Sequence, residues 1–177
     1  MTIAQLTQKM IAYSEGNLHD ITHFLKVWSF AKTIGELEGL EPETQFILEA
    51  AALVHDIACP LCRIKYGNTN GKMQEKEGEP LAREFLKDTG LTTVQIDQIA
   101  FLVAHHHTFK DVQGEDYQIL LEADYLVNAE ENGYSIENIQ NTVSRIFKTK
   151  SGRQIAKAIY NDLFIVCYAT YSLNSFS

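Results

Sequence analysis

The stretch FILEAAALVHD, residues 46–56, decides how this chain folds and where its chemistry lies. Phe46, Ile47, Ala50, Leu53 and Val54 recur at helical spacing as one apolar stripe, and Pro42 stands where a helix starts. The stripe ends on His55 and Asp56. An imidazole nitrogen and a carboxylate oxygen side by side suit manganese, iron, zinc or nickel, and a helix end leaves room for other segments to add ligands. The run therefore predicts a buried helix that delivers two adjacent donors to a metal site.

Working outward, helix-period patterns cover most of the chain and alternating strand patterns are never sustained, which predicts an all-α bundle. Upstream, Leu18, Ile21, Leu25, Trp28 and Ala31 mark a helix over about 17–37, closed by Gly39 and carrying His19 and His23. Downstream, the polar stretch from Ala58 to Gly78 reads as a long irregular segment, which a compact domain keeps only for a use. Further helices are expected over about 80–87, 93–104, 117–128, 136–147 and 154–171. No internal repeat or second-domain boundary interrupts the 177 residues, so one domain is expected, and 45% hydrophobic residues suffice for its core.

A net charge of -8 with only fifteen scattered Lys and Arg argues against nucleic-acid polymers and anionic membranes as partners. A small polar substrate fits better. The most apolar stretch, Leu163 to Tyr168 with its flanks, is far short of the roughly 20 residues a membrane span requires. The N-terminus lacks a basic segment followed by a hydrophobic one, so a soluble cytoplasmic protein is expected. Cys59, Cys62 and Cys167 are too few and odd in number for a disulfide framework. The single CxxC of Cys59 and Cys62 has no second pair to complete a zinc site, which favours local buried thiols.

Candidate metal ligands stand at four separated places: His23, the His55-Asp56 pair, the run His105-His106-His107, and Asp124 within the apolar stretch Ile119 to Val127. A carboxylate at Asp124 is costly to bury unless a cation, a donor or a metal meets it, and a buried salt bridge would serve as well. In the histidine run, spacing to Asp124 favours His106, then His105, with His107 before Thr108 a third option. Consecutive helical residues point about 100° apart, so all three cannot converge.

The ordered set HDITHFLKVW around His23, ALVHDIA around His55-Asp56 and LLEADYLVN around Asp124 resembles the HD superfamily of metal-dependent phosphohydrolases, whose pattern is H…HD…D. The resemblance covers roughly residues 17–130, the metal-binding core, with helices over 135–171 expected to pack on it. It implies a helical bundle holding one or two divalent ions (Mn, Fe, Zn, Ni or Mg) through His23, His55, Asp56 and Asp124. Within the superfamily the chain most resembles the bacterial dinucleotide-hydrolase branch. There a histidine precedes a small helix, and the comparable segment KEGEPLA carries Glu77, a further candidate ligand beside His105 and His106.

The resemblance implies hydrolysis of a phosphoester or phosphoanhydride in a small phosphorylated metabolite, such as a nucleotide, with Asp56 and His55 at the catalytic centre. Arg63, Lys65 and Lys72 are the candidates to meet phosphate charge, because charge on the non-bridging oxygens must be neutralised in the transition state. The chain departs from members that read HDIGK or HDIAK, since here the pair continues as HDIACPLC. His19 and Asp20 are read either as near the metal or substrate, or as cap and solvent positions. Two alternatives stand beside the hydrolase: a non-catalytic nucleotide-binding regulatory module, and a diiron oxygenase of the HD type. Assembly into a homo-oligomer is compatible with all three.

Overall fold

In the computed structural model residues 1–160 are described, and they form nine helices with no strand among them. These are α1 (Ile3–Tyr13), α2 (Leu18–Glu38), α3 (Pro42–Val54), α4 (Cys59–Tyr66), α5 (Gly71–Leu86), α6 (Thr93–Val103), α7 (Glu115–Glu131), α8 (Ile136–Ile146) and α9 (Lys150–Tyr160). The architecture is the all-α bundle that the periodicity predicts. The expected continuation of the last helix to residue 171, the stretch Leu163 to Tyr168 and Cys167 lie outside the described residues.

Two helices are buried on nearly every face and occupy the centre. In α3 every residue from Ile47 to Val54 is buried, and in α7 so are Asp116, Tyr117, Ile119 to Val127 and Ala129. Helices buried on every side form the inside of a bundle rather than its surface. α2 packs against both of them, α6 closes the other side of α3, and α5 packs on α6. The Asn17 side chain caps α2 by accepting from the Asp20 amide, and Gly39, at φ 80°, ends that helix in the left-handed region. This fixes the register that turns His23 inward.

The segment read as a long loop instead contains α4 and the first half of α5, and α5 begins at Gly71 rather than near Pro80. Its inward positions are Gln74, Gly78, Ala82 and Leu86, spaced four apart. The first three are polar or small, so the face that packs carries almost no hydrophobic signal. Pro80 sits inside the helix. α1, not expected at all, buries only Leu6 and Met10.

Candidate metal centre

Four elements bring donors to one point. His23 lies in the second turn of α2, His55 and Asp56 directly follow α3, His106 lies just beyond the end of α6, and Asp124 is in mid-α7. His23 Nε2 is 3.3 Å from Asp124 Oδ1, 3.5 Å from Asp56 Oδ2 and 3.3 Å from His55 Nε2. His55 Nε2 is 3.5 Å from Asp124 Oδ1, and His106 Nε2 is 3.3 Å from Asp56 Oδ1. All but Asp56 are buried, and Asp56 faces a polar cavity of about 300 Å³.

The outer nitrogens fix what the inner ones offer. His55 Nδ1 donates to Ala52 O (2.8 Å), His106 Nδ1 to Val103 O (2.7 Å), and His23 Nδ1 to the carboxylate of Glu131 (2.7 Å). Because each acceptor lacks a proton, each Nδ1 carries one, and a neutral ring then presents a bare lone pair at Nε2. His23 and His55 thus aim lone pairs at each other across 3.3 Å, beside two carboxylates. His106 Nε2 lies near Asp56 without hydrogen-bond geometry and is buried with no other partner. Acceptors facing acceptors in a buried space lack one thing, a positive charge between them, and this donor set fits a divalent cation.

The electrostatics agree. Burial lowers the His23 pKa, but Asp124, Asp56 and Glu131 overrule it and raise it to about 10. Burial likewise lowers His106, and Asp56 reverses the direction. Asp124 and Asp56 would be raised by burial, yet the surrounding imidazoles hold both carboxyls well below the usual range.

A second group shares Asp56. One donor atom each from Asp56, His106 and His107 lies within 4.8 Å of the others. His107 is held by Glu75, which accepts from the His107 amide (3.0 Å) and the Thr108 hydroxyl (2.9 Å). The Gln74 amide group donates to Thr69 O (2.7 Å), so its oxygen faces His107 Nε2 at 3.2 Å and leaves the lone pair on Nδ1. Burial, and then His106, push His107 down to about 4, so it stays neutral. Gly71 makes room for this ring: a β-carbon there would meet it at 2.7 Å.

A model of the HD domain matches residues 20–129, well over half of the chain. The chain belongs to the HD domain family. Members form a superfamily of metal-dependent phosphohydrolases that bind divalent metals, and the His and Asp groups of this HD domain are of the type that holds one. The crystal structure of a predicted HD superfamily hydrolase from an uncultured Thermotogales bacterium superposes with a TM-score of 0.64. The two are 21% identical over 99% of this chain and 91% of that one, a likeness of fold. No curated protein matches this HD domain.

Not every expected site residue is in the cluster. His105 turns the other way: its Nδ1 donates to Phe101 O, and its ring lies 4.2 Å from the Phe101 ring and 6.2 Å from Tyr117. The Tyr117 hydroxyl donates to the carbonyls of His105 (3.0 Å) and Thr108 (2.5 Å), which pins the turn so that His106 and His107 face inward. Glu77 accepts from Lys65 (2.9 Å) and Tyr66 (2.6 Å), away from the cluster, and it is Gln74 of α5 that lines the cavity. Arg63 lines the cavity too, held by both oxygens of Asp20 at 2.8 and 2.5 Å. Lys65 is occupied by Glu77, and Lys72 is exposed outside the lining. His19 and Asp20 both line the cavity. Cys59 also lines it as a buried thiol whose pKa burial pushes up, in keeping with an inert local role.

Gln74, Glu75 and Glu131 escaped the sequence reading. For Glu131 a signal existed, because it stands seven residues after Asp124 on the same face of α7. For Gln74 the missing element was α5 itself.

Proposed function

We propose that this HD domain hydrolyses a phosphoester or phosphoanhydride bond in a small phosphorylated metabolite, with nucleotides, dinucleotides included, the first class to test. One observation carries the reading: imidazole lone pairs of His23, His55 and His106 converge with the carboxylates of Asp56 and Asp124 beside a cavity lined by Arg63. A divalent cation held by these residues would supply Lewis acidity, lowering the pKa of a water and drawing charge off phosphate oxygens. Asp56, common to both donor groups, holds them in register. Arg63, pre-oriented by Asp20, offers a guanidinium to a phosphate oxygen, which gains most as negative charge builds there. Asn128 and Asn132 on α7 and Thr69 give the cavity polar groups for the rest of a hydroxyl-bearing substrate.

The two donor groups sharing Asp56 would also suit a diiron oxygenase. Full-length protein loaded with manganese and supplied with nucleoside monophosphates, dinucleoside polyphosphates and sugar phosphates separates the readings. Phosphate or nucleotide release that chelator abolishes is expected. A protein that binds manganese, releases nothing from the whole panel, and when iron-loaded shows an oxygen-sensitive visible spectrum would overturn the hydrolase reading.

A further inference from the structure

His23, His55 and His106 satisfy their outer nitrogens in two different ways, and the difference has a backbone cause. The last carbonyls of a helix have no partner within it. His55 and His106 stand at the ends of α3 and α6, so each finds a spare carbonyl three residues back, Ala52 O and Val103 O. His23 sits inside α2, in its second turn, where the nearby carbonyls belong to the helix ladder. It takes its acceptor from another helix instead.

That acceptor is Glu131, the last residue of α7, with its Oε2 2.7 Å from His23 Nδ1. Its other oxygen accepts from Lys26 Nζ at 3.1 Å, and Lys26 also reaches Glu130 at 3.0 Å. Lys26 lies three residues after His23 on α2, so one helix presents both the imidazole and the ammonium that anchors its partner. Anchoring by Lys26 explains why a carboxylate is found at a helix C-terminus, where the dipole disfavours negative charge.

Resting on the metal-centre reading above, we infer that Glu131 is the positioning residue of His23. It fixes the ring in the tautomer with Nε2 bare and inward, and, as the one charged acceptor among the three, makes His23 the most strongly donating imidazole of the centre. Lys26 holds Glu131 in that role. Outer partners of this kind orient a ligand ring and raise its basicity.

The test uses full-length protein and manganese alone, with free ion followed by electron paramagnetic resonance. Glu131→Leu is expected to weaken binding by roughly 10–100-fold. Glu131→Gln, which keeps an acceptor without the charge, and Lys26→Met should each lose less than Glu131→Leu. In zinc-loaded protein the His23 Nδ1 proton should give a slowly exchanging, hydrogen-bonded nuclear magnetic resonance signal, retained in Glu131→Gln and lost in Glu131→Leu. A purely structural role would lower the melting temperature of Glu131→Leu and leave affinity and that signal unchanged, which overturns the inference. Failure of the wild type to bind manganese or zinc would instead remove the metal centre itself, and this inference with it.

Discussion

Glu122 and Asp124 lie two residues apart on α7 and both are buried, yet their surroundings are opposite. Glu122 is met only by donors: the amides of Lys148 (2.6 Å) and Thr149 (3.0 Å), the Gln118 amide group (2.7 Å) and the Thr149 hydroxyl. It sits where α9 begins, so the helix dipole adds a favourable field. Asp124 has one donor, Asn128 Nδ2 at 2.8 Å, and otherwise faces the Nε2 atoms of His23 and His55. The first acid is complete within the protein and the second is not. A buried carboxylate thus marks a functional centre when its neighbours are themselves acceptors, and a structural joint when they are donors.

That contrast breaks most sharply at the centre. Asp56→Ala removes the residue shared by both donor groups and should cut phosphate release by about 10²–10³-fold or more, while circular dichroism shows unchanged helix content. Activity within tenfold of wild type in that variant would dissolve the centre as drawn.

The joint should respond in the other currency, stability. Glu122→Ala strands the buried amide and hydroxyl of Thr149 and the part-buried amide of Lys148, and should cost about 3 kcal/mol in denaturant unfolding, with manganese affinity nearly unchanged. Manganese at a hundredfold excess over its Kd should stabilise wild type and Glu122→Ala alike by about 2.7 kcal/mol and leave Asp56→Ala unmoved. Equal stabilisation of all three would place the ion elsewhere. The smallest effect belongs to His105→Ala, which faces Phe101 and should shift manganese binding by less than about twofold, or roughly 0.4 kcal/mol, whereas a tenfold loss would restore it to the ligand set.

The sequence speaks unevenly about these regions. α2, α3, α6 and α7 were legible because they bury apolar side chains at helical spacing, and three of them carry the H…HD…D residues. α5 was not, since its inward face is Gln74, Gly78 and Ala82, residues that pack by being small or hydrogen-bonded. The histidine run was legible as a site and ambiguous in its members. What assigns them is Tyr117, nine and twelve residues downstream of the carbonyls it grips, together with Glu75 on a helix whose start was misplaced. Glu122 and Asp124 look alike in the string LLEADYLV, and what tells them apart, the amides of Lys148 and Thr149 on one side and the rings of His23 and His55 on the other, is distant in sequence.

The donors of the centre come from residues 23, 55–56, 106 and 124, on α2, at the ends of α3 and α6, and on α7. An ion gripped by all of them is a rivet through four chain segments that the backbone joins only by long detours, and closing such detours is a cost the unfolded chain would face again on release. Scarcity of the ion would then show as faster turnover of the polypeptide by proteases, over and above any loss of chemistry.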